Sequence, residues 1–271
     1  MSETKKYLDY CPICLSSKFN SVFSKKWSLS SFVKCKKCNL IFQNPQEDKK
    51  KTELRYDKKY FQYEQENQEN FFNLIKKTLD DYNIIKILPM NAKVLEIGSA
   101  TGLFLKYMDS NGFNSVGVEL CKESVEYGRK EYGVNLLYGK LENMTFFDGE
   151  FDFIHFSHLI EHLNNPINFM SNVYRIMKRG GLVLLTTPNS SGLFSTYYGE
   201  SWRCIVDDHL FLFSKKNLKM LLLKSNFRIL KSLTWGSIPS GVKNKSLKKT
   251  MDWFVKKSGT GDVVSYLAQK V

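Results

Sequence analysis

No run of about eighteen or more apolar residues occurs in this 271-residue chain, so no membrane-spanning helix is expected. The opening residues, Met-Ser-Glu-Thr-Lys-Lys-Tyr, lack the apolar stretch of a secretory leader, and a cytoplasmic protein is the expectation. Internal repeats and low-complexity segments are missing too. Carboxylates are in short supply: 27 acidic residues face 40 basic ones, for a formal charge of +13. That excess suits an acidic partner, such as a nucleotide sugar, a nucleic acid or an anionic membrane surface. A surface that is simply rich in lysine accounts for it equally well. With 42% hydrophobic residues, the chain has the material for one large core and a small appendage.

Six cysteines are present, and four of them fall in pairs. Cys11-Pro-Ile-Cys14 and Cys35-Lys-Lys-Cys38 each make a knuckle that offers two thiolates to one ion. Two knuckles complete a tetrahedral four-sulfur zinc shell. A disulfide reading is weaker because nothing marks the chain as secreted, and a redox reading leaves the second pair unexplained. A zinc ion held by Cys11, Cys14, Cys35 and Cys38 has no open position, so its role is structural. Cys121 and Cys204 stand alone and are expected to be free thiols.

Residues 1–45 therefore read as a zinc ribbon, closed by a strand that stops at Asn44-Pro45. Residues 46–90 read as a helical linker and lid region. It starts with the charged stretch from Glu47 to Lys51, and apolar residues recur at helical spacing from Glu66 to Leu88. From residue 91 to 271, strand and helix signals alternate. Strands are expected at Lys93–Ile97, Ser115–Glu119, Val134–Tyr138, Phe151–Phe156, Gly181–Thr187 and Phe227–Thr234. Helices are expected at Gly102–Ser110, Lys122–Tyr132, Pro166–Met177 and, capped by Ser214, at Lys215–Lys224. Lys178-Arg179-Gly180-Gly181 is expected to end its helix with glycine chemistry. The pattern predicts an α/β fold with a doubly wound, mostly parallel sheet.

Val94-Leu-Glu96-Ile-Gly98-Ser99-Ala100-Thr101-Gly102 runs from a strand through a small-residue loop into a helix, and the next strand ends in Glu119. That geometry grips an adenosine-containing cofactor: glycines admit the ligand to the backbone and the acid accepts ribose hydroxyls. The dinucleotide pattern G-x-G-x-x-G is absent. The acid-x-Gly-x-x-x-Gly loop instead resembles the first motif of class I S-adenosylmethionine (SAM) methyltransferases, with Ala100 in place of the middle glycine. Gly139-Lys140-Leu141-Glu142, Phe151-Asp-Phe-Ile-His155-Phe156 and Arg179-Gly-Gly through Thr187-Pro-Asn189 resemble later motifs in the same order, over roughly residues 90–271. The resemblance implies a Rossmann-like, seven-stranded, mostly parallel sheet whose last strand, Gly261–Lys270, inserts antiparallel. It also implies cofactor contacts at Glu96, Gly98, Ser99, Thr101, Gly102, Glu119, Leu120, Leu141 and Ser157. Where the family usually has an acid after the glycine that follows the third strand, this chain has Lys140.

His158-Leu-Ile-Glu161-His162 fits the letters of the inverted zinc-protease helix, H-x-x-E-H. Its place directly after a cofactor-sheet strand, with Asn164-Asn165-Pro166 behind it, argues against that reading. Glu-His before a proline resembles the catalytic turn of small-molecule and sugar methyltransferases, which implies that Glu161 and His162 face the transferred methyl and that His162 takes a proton. The alternative is that both merely bond backbone at a helix start. Between Pro188 and Ser214 lie Phe194, Tyr197, Tyr198 and Trp202, suited to stacking on a sugar or base or to packing a lid. Asp208-His209 suits a carboxylate–imidazole pair that orients a base. The segment resembles zinc-ribbon methyltransferases of bacterial glycan and deoxysugar pathways, as does the Tyr60-Phe61-x-Tyr63 region.

The expected function is SAM-dependent methylation of a hydroxyl on a sugar, nucleotide-linked sugar or surface-glycan precursor. O-methylation is favoured over C-methylation, because the C-methylating relatives carry a further C-terminal domain that this chain ends too soon to hold. A quinone or other lipid-like phenol is the alternative acceptor. An RNA-binding methyltransferase lacks its Asn/Asp-Pro-Pro-Tyr/Phe signature at Phe156-Ser157-His158, so no nucleic-acid partner is favoured. A non-catalytic zinc-ribbon adaptor would not need Glu96 and Glu119. Ser246–Lys257 sets Leu247, Met251, Phe254 and Val255 on one helical stripe flanked by Lys248, Lys249, Lys256 and Lys257, with Trp253 nearby. That stripe suits peripheral contact with an anionic membrane, or packing on the domain or across a homodimer.

Overall fold

The computed structural model describes residues 6–24, 31–46, 54–236 and 245–271. The expected charged stretch from Glu47 to Lys51 lies outside the described residues, as do the side chains of Leu247, Lys248 and Lys249. From the N-terminus come β1 (Phe19–Ser24), β2 (Ser31–Cys35) and β3 (Ile41–Gln43), then the long α1 (Lys58–Asp81) and the short α2 (Ile84–Ile87). Strand and helix then alternate as β4 (Lys93–Ile97), α3 (Leu103–Ser110), β5 (Asn114–Glu119), α4 (Lys122–Tyr132), β6 (Leu136–Tyr138), β7 (Phe151–Ser157), α5 (Pro166–Ile176) and β8 (Met177–Pro188). The last third holds α6 (Leu193–Tyr198), β9 (Phe211–Leu212), α7 (Lys215–Lys224), β10 (Phe227–Trp235), α8 (Lys245–Ser258) and β11 (Val263–Lys270).

The central sheet has seven strands in the order β10-β11-β8-β7-β4-β5-β6. β4, β5, β6, β7 and β8 run parallel, whereas β11 lies antiparallel between β8 and β10. The Rossmann-like sheet with an inserted last strand is thus present. Strand order reverses at β4, where the chain leaves toward β5 on one side and returns as β7 on the other. A crevice opens at the carboxyl ends of strands flanking such a reversal. Helices cover both faces, so strands such as β4 and β11 are buried along nearly their whole length.

Three local expectations change. The helix expected from Glu66 to Leu88 starts at Lys58, where the Asp57 side chain caps Lys59 N and Tyr60 N. It breaks at Asn83, which turns left-handed at φ 55°. Lys178-Arg179-Gly180-Gly181 does not cap a helix: α5 has already ended at Ile176, and these residues bulge the start of β8, with Gly180 at φ 78°. The strand expected from Val134 begins at Leu136. The predicted helix before the last strand is present as α8, where Val255 is buried and the Lys256 ammonium pairs with Asp81 at 2.7 Å. Trp253 stays 62% exposed, so it does not pack on the domain. Among the described residues, no helix is long and apolar enough to cross a membrane.

A second sheet, β1-β2-β3-β9, ties the ribbon to the segment after β8: Ile41 pairs with Leu212 and Phe42 with Phe211. Phe42, Phe211, Phe213, Leu218 and Leu221 are fully buried in one cluster with Cys11 and Cys35. Asn217 Nδ2 donates to the Cys38 carbonyl at 2.8 Å. The ribbon therefore shares its core with the larger sheet.

Candidate active site

A cleft of about 1210 Å³ opens at the carboxyl ends of β4, β5, β6 and β7, roofed by α1 from Tyr60 to Thr78. Its walls divide into a backbone-rich end and a side-chain-rich end.

The first end grows from the loop after β4. Gly98 N donates to Val118 O at 2.8 Å, which draws the loop onto β5. Gly102 caps α3 at φ 84°, and a Cβ there would stand 2.8 Å from Val134 Cγ2, so only glycine fits. Ala100 is left-handed at φ 45°, a conformation that costs a non-glycine residue about 1–2 kcal/mol. Glu119 repays part of that strain by accepting Ala100 N on Oε2 at 2.9 Å, while Oε1 takes Leu120 N and Cys121 N at 2.8 Å each. Of about four lone-pair sites on a carboxylate, roughly one stays open for a ligand hydroxyl. Burial raises the Glu119 pKa, and the three amides oppose it.

Glu96 is buried beneath this loop. Its Oε1 lies 3.1 Å from His155 Nδ1, and its Oε2 has no hydrogen-bond partner. Burial, then the charge of Glu119, pushes Glu96 well above the usual carboxylate range. Burial also holds His155 down at about 3, so the imidazole is neutral; its ring stacks on Phe104 at 4.7 Å. An unsatisfied buried carboxylate oxygen on the cleft wall calls for a cationic donor, and the glycine loop with Glu119 calls for a hydroxylated one. A SAM-like cofactor, with an ammonium group and a ribose, fits both. Thr101 is drawn to the roof, with its Oγ1 on Gln68 Oε1 at 2.9 Å. Ser99, Leu120, Leu141 and Ser157 line the cleft, whereas Gly102 is not among its lining residues.

The other end begins where β7 stops. His158 turns left-handed at φ 51°, and Ile160–His162 form a single 3₁₀ turn. The inverted-protease reading fails on this ground, because it requires a continuous helix. Glu161 is buried beneath the turn: Thr187 Oγ1 donates to its Oε2 at 2.9 Å. Its Oε1 lies 3.3 Å from His158 Nδ1 without the alignment of a hydrogen bond. Burial alone would raise Glu161, but the His158 contact and the facing imidazoles of His158, His162 and His209 hold it down at about 2.

His162 and His209 meet edge to face, with centroids 4.8 Å apart. His162 Nδ1 sits 2.9 Å from the Asp208 carbonyl and His209 Nδ1 2.8 Å from the Cys204 carbonyl. Both Nδ1 atoms therefore carry a proton, which in the neutral ring leaves each Nε2 as the acceptor. The Asp208–His209 pair does not form, since the Asp208 carboxylate pairs with Arg55 at 2.5 Å. Gln43 holds this segment in place: buried at the end of β3, its Nε2 donates to the carbonyls of Asp207 at 2.8 Å and His209 at 3.1 Å. None of Phe194, Tyr197, Tyr198 or Trp202 lines the cleft. Trp202 instead packs with Phe32, Ile205 and Leu212, in line with the packing alternative for that residue.

All four histidines of the chain line the one cleft. The sequence pattern pointed to His162 and His209 but missed His155, Gln43, and the roof residues Tyr56, Glu64 and Gln68. His155 left a signal, a polar residue within the apolar stretch Phe153–Phe156 of β7. Gln43 left none, because its partners lie far along the chain.

The four ribbon cysteines stand apart from the cleft, with one Sγ from each within 4.8 Å of the others. Sγ–Sγ contacts of 3.5 Å (Cys11–Cys38) and 3.4 Å (Cys14–Cys35) are too long for disulfides. Each knuckle ends in a left-handed residue, Leu15 or Asn39, that lets backbone amides curl around the thiols. Four converging thiols fit a closed tetrahedral zinc site.

The methyltransferase-domain family matches residues 63–232, more than half of the chain. An uncharacterized protein of Methanocaldococcus jannaschii is 31% identical over 130 residues, covering 47% of this chain and 60% of its own length. A ubiquinone biosynthesis O-methyltransferase of Dechloromonas aromatica is 30% identical over 103 residues, 36% of this chain and 44% of that enzyme. The chain thus spans less than two thirds of either relative. Among solved structures, a SAM-dependent methyltransferase of Thermotoga maritima, described as a possible histamine N-methyltransferase, aligns with a TM-score of 0.59 at 23% identity over 78% of this chain and 98% of its own. One from Archaeoglobus fulgidus aligns at 0.56 and 21% identity, over 78% and 99%. The chain belongs to the methyltransferase-domain family and has the Rossmann-like fold of SAM-dependent methyltransferases.

Proposed function

We propose that this chain methylates a hydroxyl of a small polar acceptor from SAM, with a sugar, nucleotide-linked sugar or glycan precursor as the leading class. The observation that carries the reading is the sharing of one cleft: a glycine loop with Glu119 and the unsatisfied Glu96 at one end, and unprotonated imidazole nitrogens at the other. Glu119 would hold the ribose, Glu96 the ammonium end, and Leu141 the adenine edge. When bound, SAM supplies a sulfonium methyl that is already electrophilic, so the chain's own work is alignment and removal of the acceptor proton. His162 Nε2 is the proposed base, with its tautomer fixed by the Asp208 carbonyl. Asn164, Asn165, Asn168 and Arg203 line the acceptor end, which suits a polyhydroxylated or anionic molecule.

A phenolic, quinone-like acceptor is the second reading, favoured by the ubiquinone-pathway relatives. Mass spectrometry after incubation with SAM and a panel of nucleotide sugars and catechols tests both. A mass gain of one methyl on a sugar supports the first and on a catechol the second; turnover of neither, in protein that binds SAM, sinks both. The four-cysteine ribbon is proposed to carry one structural zinc. Contact of α8 with an anionic membrane stays a proposal, resting on exposed Trp253 and Phe254 beside Lys257.

A further inference from the structure

We infer that Glu161, His162 and His209 form a second metal site, at the acceptor end of the cleft, for a single divalent cation with open coordination positions. Three observations carry it. One ligand atom from each residue lies within 4.8 Å of the other two. Three such atoms share a point about 2.8 Å or less from each, against about 2.0–2.2 Å for nitrogen or oxygen bonded to a divalent ion. Side-chain shifts of well under 1 Å close the difference.

Next, the two imidazoles are already set as ligands. Each spends its Nδ1 proton on a backbone carbonyl, of Asp208 or of Cys204, and so directs an unprotonated Nε2 elsewhere. Metal-bound histidines are fixed in this way, because the outer hydrogen bond selects the tautomer and orients the ring. Third, Glu161 is 1% exposed, and its Oε1 has no hydrogen-bond partner. That oxygen has only the poorly aligned His158 Nδ1 at 3.3 Å for company, and a buried carboxylate oxygen without an aligned donor is costly unless something positive sits in the cluster.

Two imidazoles and one carboxylate leave positions open, which sets this site apart from the closed cysteine shell. The inference rests on the methyl-transfer reading for its purpose and narrows the acceptor to one that presents two adjacent oxygens, as a vicinal diol or catechol does. One such oxygen on the cation loses its proton more readily, to water or to the exposed His158. It then forms the O–CH₃ bond as the C–S bond of the sulfonium breaks and leaves a neutral thioether. His162 is then a ligand, and the cation takes over the task assigned above to its Nε2.

The binding test needs neither SAM nor acceptor. The full chain, with its cysteines saturated by zinc, is titrated with Co²⁺ and followed by visible absorption. One additional Co²⁺ per chain is expected, with weak d–d bands and no thiolate charge-transfer band. Glu161→Gln and His209→Asn should each weaken it at least tenfold while the zinc stays bound. Their melting curves identify a variant that fails to fold, and His209, at the cleft wall, tests the site without disturbing the buried Glu161. No additional Co²⁺ in the wild type overturns the inference, and so does retention of that ion in both variants. Methyl transfer that survives exhaustive chelation, in protein that does bind Co²⁺, overturns the catalytic role of the ion and leaves the transfer reading intact.

Discussion

The two ends of the cleft are built from different material. At the cofactor end, a short stretch of chain from Glu96 to Cys121 supplies loop, cap and acid, and main-chain amides hold the Glu119 carboxylate. At the acceptor end, side chains from the turn after β7 and the segment after β8 converge, and Gln43 of the ribbon clamps the second of these. A backbone cradle tolerates side-chain replacement around it, whereas a convergent cluster depends on every distant contact that aims it. Mutations should therefore separate binding from turnover.

The largest effect is expected from the ribbon. Elemental analysis is expected to give about one zinc per chain, and Cys35→Ser should remove it and unfold β1–β3, since structural zinc contributes about 10–16 kcal/mol in small domains. Because β3 pairs with β9, turnover should fall with it while SAM binding by the folded Rossmann sheet persists. Gln43→Ala should give the same split in smaller measure. Full activity and unchanged protease resistance in metal-free protein would show that the two ends do not differ in this way.

His162→Asn is expected to lower turnover about 10²–10⁴-fold with SAM affinity intact. A comparable loss in His209→Asn, with His162→Asn nearly silent, would move the critical nitrogen to His209. Glu119→Ala has the reverse signature, a loss of about 1.5–3 kcal/mol in SAM binding measured by calorimetry. Wild-type affinity in that variant would remove Glu119 from the ribose.

The smallest effect concerns pH. His155 is held neutral by burial, with its pKa lowered from 6.5 to about 3. Below pH 6.5 the unfolded chain binds the proton that the folded chain refuses, so stability is full above 6.5 and declines as pH falls toward 3. Glu96, raised by burial, titrates in the opposite sense and is present in both chains compared. His155→Gln should flatten the wild-type decline in thermal unfolding between about pH 6.5 and 3. Parallel curves would show that His155 is not the buried neutral base at the cofactor end.

The alternation of apolar strand and amphipathic helix, the Glu96–Gly102 loop with Glu119, and the four-cysteine ribbon were legible in the sequence, because each rests on neighbours a few residues apart. Periodicity, turn chemistry and ligand spacing are local properties, whereas the antiparallel last strand was implied only by the resemblance of the ending to that of class I methyltransferases. Other features were decided only by tertiary structure. Asp208 pairs with Arg55 and not with His209, Trp202 packs against Phe32, and Gln43 fixes a histidine carbonyl from the far sheet. The same holds for His209, which joins Glu161 and His162 from another segment, and for Glu161, whose Oε1 stays unpaired. Such partners depend on which surfaces meet when the ribbon docks on the larger sheet, and burial then sets whether each polar atom is satisfied; neither leaves a mark at a fixed spacing along the chain.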